Sequence, residues 1–585
     1  MNNKLICFDK LTHLFRYFHC FFLWSFISLS DPAKAQIVPD ATLPINSRVT
    51  QEGNTSVIED GTSAGTNLFH SFQQFSIPTN GTAHFNNASN IQNILTRITG
   101  SSLSNINGLI KANGTANLFL INPNGIIFGP NASLNIGGSF LASTASRVNF
   151  ADGTQFSAIT PQTGLLTVSV PVGLQMGPNP GKIVVQGPGN NLTQDPETQA
   201  LFRDNRPAGL QVQDKTLALV GGEIELIGGN LTTGGGHLEL GSVGDNSTVR
   251  LTSTDRGWAF GYAEVGEFRD IALKAATSLD ASGDSGGGIQ LQGRSIFLNE
   301  GSAIVALTLG NQPGGDVTLR ASENVELSGS NRLNFPSAVI AEVFPSATGD
   351  AGILTVETAQ LVLLDGAFLS SSTRGQGDGG NLTVRATESV SLSGLNASGS
   401  GSGLFAEVKS EATGIAGNLT IETGQLTLLD GAIISATTEG QGDAGSLIVR
   451  ATESVTLSGL DGSGSPSNVQ TGPGLEAIGN SGALTVETGR LTLMDGAVIS
   501  ATTEGQGDAG SLTIRATESV TLSGLDGSGG SSILQTGPGE EATGNSGALT
   551  VETGRLTLMD GAVISATTEG QGDAGSLTIR ATESV

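Results

Sequence analysis

The amino-acid sequence predicts an all-β protein, a right-handed parallel β-helix that runs along nearly the whole mature chain. Three observations predict it: a 65-residue period in the C-terminal half, short strand patterns throughout, and an unusual composition. The 585 residues include 84 glycines and are 37% hydrophobic but only 14% charged. Because the apolar residues are spread evenly along the chain, the composition favours a solenoid, in which each short unit buries its apolar side against the next.

The period is marked by an Asp-Gly pair. It recurs every 65 residues, at Asp365, Asp430, Asp495 and Asp560. Segment 479–520 is repeated residue for residue at 544–585. The copies become less similar toward the N-terminus and can be followed back to about residue 287. Repetition of this kind indicates that each period folds as the same unit and stacks on its neighbours.

Each period contains short segments with one apolar face. Leu484–Val486, Leu491–Leu493 and Ala497–Ile499 are predicted as three short strands, because apolar residues recur there at every second position. The Gly-x-Leu-Thr pattern occurs twice per period, at Gly482 and Gly510, which predicts two coils of 28 and 37 residues. Three coils per period remain the alternative.

Strand pairing is expected between coils and not between neighbours in sequence. No Asn-Gly hairpin turn recurs at the joints between the strand segments. Each strand would then pair in parallel with its counterpart one coil away, about 4.8 Å along the axis. Parallel crossovers are right-handed in nearly all proteins, which gives the predicted hand.

The first 35 residues have the order of a signal peptide. Three basic residues precede an apolar run at 18–29, and the small-x-small triplet Ala33-Lys34-Ala35 follows it. Cleavage is predicted between Ala35 and Gln36. An uncleaved anchor is the alternative. No later apolar run is long enough to cross a bilayer, so the mature chain is predicted to have no integral membrane span.

Charge and cysteine usage argue against several classes of protein. The formal net charge is −26, so the surface repels phosphate backbones, and nucleic acid is not an expected partner. Cys7 and Cys20, the only cysteines of the sequence, lie in the predicted signal peptide. The mature chain is therefore expected to have neither a disulfide framework nor a thiolate metal site.

Residues 36–265 lack the 65-residue period but contain the most distinctive strings of the chain. They are Asn67-Leu68-Phe69-His70-Ser71-Phe72, Arg97-Ile98-Thr99-Gly100, Asn117–Gly129 and Gly137–Ala145. The third string holds Asn122-Pro123-Asn124-Gly125-Ile126 between two apolar segments. Pro123 fixes φ at the second position of a turn, Asn124 or Gly125 can take a positive φ, and the Asn122 side chain can bond its own backbone. A rigid turn is expected there.

These strings resemble the two-partner secretion domain of filamentous haemagglutinins and haemolysins, whose signature is Asn-Pro-Asn-Gly-Ile. A second motif of that family, Asn-Pro-Asn-Leu, is absent, and Phe85-Asn86-Asn87-Ala88 precedes the Arg97 string instead. The resemblance implies a primary secretion motif formed by Asn122, Pro123, Asn124, Gly125 and Ile126. It implies a secondary secretion-domain motif formed by Asn67, Phe69, Phe72, Arg97 and Gly100. A purely structural turn remains the alternative for the primary motif.

The resemblance also implies a route and a domain organisation. The chain would cross the periplasm and leave through a cognate outer-membrane transporter with periplasmic docking domains, to be secreted or held at the cell surface. The predicted domains are a signal peptide (1–35), a two-partner secretion domain (36–265) and a β-helical repeat region (266–585) that stops in mid-repeat. The expected function is that of an adhesin-like exoprotein with a host-cell, cell-surface or polysaccharide receptor.

Two other functions are alternatives: an enzyme that acts on extracellular polysaccharide, and the stalk of a contact-dependent toxin that lacks its effector domain. The predicted fold is pectin-lyase-like, and such β-helices include polysaccharide lyases, which need paired carboxylates in one cleft. The best carboxylate set lies in Gly-Gln-Gly-Asp turns, with arginines seven residues on: Asp378, Asp443, Asp508 and Asp573, with Arg385, Arg450, Arg515 and Arg580. Turns two coils apart are about 10 Å from one another, which favours a structural role and predicts no catalytic residues.

Other candidates for chemistry are few. The loop Ser400–Glu411, with Phe405 and Lys409, is the only modest enzyme-like departure from the repeat. Outside the signal peptide the histidines are His70, His84 and His237, without the spacing of a zinc site. No catalytic serine motif or nucleotide-binding loop is recognisable. The sequence therefore predicts no enzyme activity, no metal site and no cofactor.

Overall fold

The computed structural model describes residues 36–162, 166–195 and 200–585. The predicted signal peptide, with Ala35 of its predicted cleavage site, lies outside these residues. Within them all regular elements are β-strands, and no helix is present that could cross a membrane. Most strands pair in parallel with strands one coil away, which confirms the predicted parallel β-helix.

Two long sheets run along the described part of the chain. The main sheet has 23 strands: Ile37–Pro39, Thr62–Ala64, Asn67–Phe75, Asn93–Ile98, Ser104–Ile106, Asn117–Ile121, Ile126–Phe128, Phe140–Ser143, Ile183–Gln186, Thr216–Gly221, Ile224–Ile227, His237–Ser242, Ile271–Lys274, Gly288–Asn299, Val317–Ser328, Leu354–Leu364, Leu382–Ser393, Leu419–Leu428, Leu447–Leu457, Leu484–Leu493, Leu512–Leu522, Leu549–Leu558 and Leu577–Ser584. The twelve-stranded sheet consists of Leu210–Val212, Asn230–Thr233, Ser278–Asp280, Ala303–Val305, Ala338–Ile340, Phe368–Ser370, Gly403–Phe405, Ile433–Thr438, Asn468–Pro473, Val498–Thr503, Ile533–Pro538 and Val563–Ser565.

Three smaller sheets occur among the described residues of the N-terminal half. The third sheet has five strands: Ser47–Glu52, Thr55–Asp60, Thr82–Phe85, Leu109–Ala112 and Ser133–Asn135. The side sheet is antiparallel and also has five: Arg147–Phe150, Gln155–Ser157, Pro171–Gln175, Thr248–Thr254 and Gly257–Gly261. A two-stranded antiparallel pair consists of Thr193–Gln194 and Leu201–Phe202.

The pairing registers give the coil lengths of the repeat region. Leu484 pairs with Leu512, 28 residues on, and Leu512 pairs with Leu549, 37 residues further. Each 65-residue period therefore winds through two coils of the lengths that the Gly-x-Leu-Thr pattern predicts. Like residues lie directly above one another, and their inward leucines and valines form one continuous hydrophobic core.

One detail of the strand prediction is wrong. The segments around Leu484–Val486 and Leu491–Leu493 belong to a single ten-residue strand, Leu484–Leu493. Its pairing register shifts between Thr488 and Arg490, where one residue faces two in the next coil. This bulge lets the strand continue where the alternation of apolar residues breaks.

A glycine lies at this bulge for a steric reason. A Cβ atom on Gly489 would stand 2.5 Å from the carbonyl oxygen of Glu453 in the coil below. The same approach recurs one period away in each direction, at Gly424 and Gly554. At these three positions the backbones of successive coils are too close for a side chain, whereas the equivalent position one period before Gly424 is Ala359.

A Gly-Asp/Asn-x-Gly turn occurs in nearly every coil of the repeat region. It stands at 349–352, 377–380, 442–445, 479–482, 507–510, 544–547 and 572–575, and Ile415 replaces the acidic or amide residue at 414–417. A Cβ atom on Gly479 would lie 2.1 Å from the Gly442 carbonyl oxygen, and one on Gly482 would lie 2.2 Å from that of Gly445. Two columns of glycine therefore let the turns stack in contact.

The N-terminal edge of the stack is covered. Strand Asn67–Phe75 pairs in parallel with Asn93–Ile98 on one side. On the other side it pairs antiparallel with Ile37–Pro39 and with Thr62–Ala64. These short strands satisfy the backbone groups that an open first coil would expose.

The side sheet forms a second core against the first coils. Phe69, Leu95 and Phe119 are in register with one another, are buried, and lie outside the main core cluster. They pack against side-sheet residues that include Phe156 and Trp258; the Phe69 and Phe156 ring centroids are 5.0 Å apart. The first coils are therefore apolar on both faces of the main sheet.

Candidate functional site

The Asn122–Ile126 segment is a tight turn between two main-sheet strands, as predicted. Gly125 N donates to the Asn122 carbonyl oxygen at 3.1 Å, which closes the turn. The Asn122 side chain is buried; its Oδ1 accepts from Asn124 N at 3.1 Å, and its Nδ2 donates to Ser104 Oγ at 3.0 Å. Of the two residues that could take a positive φ, Gly125 does so, at +124°.

The primary and secondary motifs meet at this turn. Asn124 is exposed, and its Nδ2 donates to the carbonyl oxygen of Gly100 at 2.8 Å. Gly100 itself has no room for a side chain, because a Cβ atom would lie 2.1 Å from the Gln73 carbonyl oxygen. The two sequence strings are thus neighbours in adjacent coils.

A second proline turn, not singled out in the sequence analysis, stacks on the first. Gly181 N donates to the Pro123 carbonyl oxygen at 3.0 Å, and Ile126 N donates to that of Lys182 at 3.1 Å. Its sequence, Asn179-Pro180-Gly181, shares the Asn-Pro start of the primary motif, which is the signal that could have revealed it. The primary motif is therefore held by turns in the coils on both sides.

Asn67, of the secondary motif, begins a ladder of asparagines. Asn93 Nδ2 donates to Asn67 Oδ1 at 3.0 Å, and Asn117 Nδ2 donates to Asn93 Oδ1 at 2.9 Å. Asn67 Nδ2 donates in turn to the carbonyl oxygens of Thr167 and Ser169. The amides join the start of three successive main-sheet strands to the segment that precedes the side sheet's third strand.

The two phenylalanines of the secondary motif have different surroundings. Phe69 packs in the second core, against the side sheet. Phe72 is fully buried in the main core, where its ring centroid lies 5.4 Å from that of Phe75. Both are structural anchors of the first described coil, and neither is available to a ligand.

Arg97 is the largest fully buried side chain in the part of the chain that the structure describes. Its guanidinium donates to Ser71 Oγ and the Ser157 carbonyl oxygen, each at 2.9 Å, and to Thr42 Oγ1 at 2.8 Å. It also lies 4.4 Å from the centroid of the Phe156 ring. Burial lowers the pKa of Arg97 to about 10, although the charge of Asp40 opposes this shift.

Asp40 completes this network without a direct ion pair. It accepts from Ser71 Oγ at 2.8 Å and from Thr42 Oγ1 at 2.7 Å. Burial alone would raise the pKa of Asp40, but hydrogen bonds from Thr99, Thr42 and Ser71 outweigh burial and hold it below its usual value. The network ties the N-terminal segment to the secondary motif and to the side sheet.

His70 is a functional candidate that the sequence analysis quoted but did not select. Its ring is buried between Phe72 and Phe85, with centroids 6.1 and 5.4 Å away, and Nδ1 lies 2.9 Å from Ser47 Oγ. Burial lowers the pKa of His70 to about 4, against the opposing charge of Asp60. His70 is therefore neutral in the folded protein near pH 7.

The aspartates of the Gly-Gln-Gly-Asp turns act as turn residues. Asp443 Oδ1 accepts from Asn480 N at 2.8 Å, Asp508 N donates to Asn480 Oδ1 at 3.1 Å, and the pattern continues through Asn545 to Asp573. Each side chain thus bonds the backbone of the next coil. No group of acidic, histidine or cysteine residues suited to a metal ion occurs in the described ranges.

The arginines that follow these turns form a second ladder with glutamates. Arg450 pairs with Glu422 at 3.6 Å and with Glu487 at 3.1 Å, and Arg515 pairs with Glu487 and Glu552 at 3.3 Å each. The alternation extends from Arg320 to Arg580 along one face. Since the pairs are about half exposed, they contribute little stability each, and their carboxylates do not converge on a cleft.

The loop Ser400–Glu411 contains a paired carboxylate. Glu407 is buried and forms an ion pair with Lys409, whose ammonium also lies 5.5 Å from the centroid of the Phe405 ring. Burial would lower the pKa of Lys409, but the charge of Glu407 outweighs it and raises the pKa. The loop therefore holds one neutralised pair, and not the two facing carboxylates of a glycosidase.

The buried imidazole predicts that the first coils are less stable in acid. Because the pKa of His70 is lower in the folded than in the unfolded chain, the unfolded state binds more protons between about pH 6.5 and pH 4, and stability falls as pH drops through this range, by up to about 3 kcal/mol. His70→Gln should flatten the pH dependence of the urea midpoint. His84→Gln, at a partly buried histidine bonded to Asn113, should retain it. An unchanged slope in His70→Gln would contradict this assignment.

Part of the chain is similar to known secretion domains. The HMW1 secretion domain from Haemophilus influenzae is similar in structure, with 16% sequence identity and a TM-score of 0.47 over 71% of this chain and 94% of that chain. No curated protein matches the chain. Residues 35–291 match the family model of the TPS (two-partner secretion) secretion domain, and both sequence motifs lie within the matched residues. Residues 35–291 are therefore similar to a TPS secretion domain.

Proposed function

We propose that the protein is an adhesin-like exoprotein, secreted or held at the cell surface, whose repeat region presents a binding surface to cells or polysaccharide. The match of residues 35–291 to the TPS secretion domain carries this proposal, because it implies an outer-membrane transporter as partner and export as the route. The coils of the repeat region follow that domain and carry polar ladders along their outer faces. A repeated surface of this kind suits weak binding at many equivalent sites.

The Asn122–Ile126 turn is the proposed primary contact for the transporter, which is expected to present periplasmic docking domains. Three features support this choice. Asn124 is exposed, the turn is rigid because Asn122 is buried and doubly bonded, and the neighbouring Asn179-Pro180-Gly181 turn widens the surface. The secondary motif contributes indirectly: Gly100 and Arg97 position the coil below, while Asn67, Phe69 and Phe72 anchor the first coil.

The adhesin-like role is favoured over catalysis by the pairing of charged groups. The aspartates of the repeat turns bond backbone amides, and the arginines and glutamates bond one another along the stack. An enzyme that cleaves polysaccharide needs carboxylates aimed together at one bond. The pairing of these groups supports a repeated recognition surface.

Export should depend on the primary turn. Asn124→Ala removes the side chain that bonds Gly100 but leaves buried Asn122 in place, so the turn persists with one contact fewer. In cells that also produce the cognate transporter, the amount in the medium relative to the cell extract should fall about tenfold, because the exposed amide proposed to contact the transporter is lost and a contact of this kind is worth about one hydrogen bond.

A turn asparagine of the repeat region provides the control. Asn545 is also exposed and accepts from a backbone amide, that of Asp573, so Asn545→Ala makes a comparable change outside the secretion domain. This variant should be exported at the normal level. Equal export of both variants, or equal loss of both, would remove the turn from the proposed docking site.

Adhesion should depend on the number of repeats. Because 479–520 and 544–585 are identical, deletion of residues 480–544 removes one whole period and leaves an uninterrupted repeat. If binding sites recur along the stack, saturable binding of the exported chain to cells or immobilised polysaccharide should weaken about twofold or more, measured by surface plasmon resonance or cell counting. Unchanged binding would locate the adhesive site elsewhere, and depolymerisation of the polysaccharide would favour the enzyme alternative.

A further inference from the structure

Two arms of the chain within the secretion domain reach across to the repeat region. They are Gly187–Gln194 and Leu201–Pro207, here called the brace. Asn190 is its centre: the side chain is fully buried, and its Nδ2 donates to the carbonyl oxygens of Gly301 at 2.8 Å and Thr277 at 3.3 Å. One amide thus joins the brace to two successive coils.

A third coil bonds the same asparagine from above. Asn331 Nδ2 donates to Asn190 Oδ1 at 3.1 Å and to the Leu192 carbonyl oxygen at 3.0 Å. Arg332 Nη2 donates to Asn191 Oδ1 at 2.5 Å. These partners are about 140 residues away in sequence, and they lie beyond residue 291, where the match to the TPS secretion domain ends.

The brace also covers an apolar surface of the repeat region. Leu192 and Leu201 are buried in a hydrophobic cluster that is separate from the main core. The rest of that cluster comes from strands and loops of the twelve-stranded sheet: Ala303, Val305, Leu307, Phe335, Ala338, Ile340 and Phe368. Alternate residues of these strands, such as Ile304 and Val339, belong to the main core. The strands are therefore apolar on both faces where the brace lies, as the first coils are beneath the side sheet.

Ion pairs attach the second arm of the brace to the coil that contains Asp280. Arg203 and Arg206 both pair with Asp280, at 2.8 and 3.0 Å, and the Asp280 side chain is buried. Arg206 also donates to Thr232 Oγ1 at 2.8 Å and to Ser278 Oγ at 3.1 Å. Asp280 would be a buried carboxylate without these arginines, so the arm and the coil depend on each other.

We propose that the brace joins the secretion domain and the coils through about residue 340 into one cooperative folding unit. Its buried amide, its leucines and the partners of its arginines are satisfied only when those coils are in place. The secretion domain therefore closes fully only after residues well beyond the matched region have joined the stack. This inference concerns folding within the chain and stands whether or not the proposed adhesin role is correct.

The repeat supplies a matched pair of asparagines for the test. Asn331 Oδ1 accepts from Leu333 N and Phe335 N, and Asn396, one period later, accepts in the same way from Ser398 N and Ser400 N. Asp461 and Asp526 occupy the equivalent position in the next two periods, so aspartate fits this loop. Asn331 differs from Asn396 because its Nδ2 also donates to the brace, at Asn190 and Leu192.

The experiment is hydrogen exchange with mass spectrometry on the full exported chain. Asn331→Asp keeps the loop bonds and removes the donors to Asn190 and Leu192. Exchange in Gly187–Gln194 should accelerate at least about tenfold, together with Ala303–Val305 and Ala338–Ile340. Asn396→Asp should leave all three segments unchanged, and neither variant should affect Leu512–Leu522.

The reciprocal variant keeps the inference testable if Asn331→Asp folds poorly. Leu192→Ala, on the brace, should accelerate exchange in Ala303–Val305 and Ala338–Ile340, because coupling between two sites acts in both directions. Acceleration confined to the brace in either variant would mean that it frays alone, and would overturn the inference. So would equal effects of Asn331→Asp and Asn396→Asp on the brace.

Discussion

The structure of the repeat region depends on one constraint: strand backbones find their hydrogen-bond partners in the coils above and below. Because pairing is parallel and in register, each residue faces its counterpart about 4.8 Å away. The residue at each position must therefore pack well against the equivalent residues of the coils above and below. Leucine and valine satisfy this on the inside, alternating arginine and glutamate satisfy it on the outside, and glycine satisfies it where backbones touch.

The same constraint explains the irregular parts of the molecule. A stack of parallel coils has an open edge and outer faces, and the N-terminal half covers both. Antiparallel strands close the edge at Asn67–Phe75, the side sheet covers Phe69 and Phe119, and the brace covers Val305. The secretion domain is thus a β-helix with additions that protect its exposed apolar surfaces, and the repeat region is the same helix with polar outer faces.

Much of this could be predicted from sequence, because a stack of equal coils leaves a regular pattern. The 65-residue period, its division at Gly482 and Gly510, and the turn at Asn122–Ile126 follow from spacing and turn chemistry alone. The continuous strand through Gly489 could not, since its bulge depends on backbone contact with another coil. The brace was also missed, because Asn190 and Asn331 are 141 residues apart in sequence. The only sequence signal for it is that the strands beneath it are apolar on both faces and so must be covered by another segment.

Disulfide trapping tests the pairing register most directly. The sequence has cysteines only at positions 7 and 20, so an engineered pair can be followed without interference from the repeat region. Thr485 and Thr513 are partners in adjacent coils, at a separation of about 4.8 Å that a disulfide can bridge. Thr485→Cys with Thr513→Cys should cross-link on oxidation. Thr485→Cys with Thr492→Cys should not, because these residues are far apart along one strand. Efficient cross-linking of the second pair, with none in the first, would contradict the stacked-coil architecture.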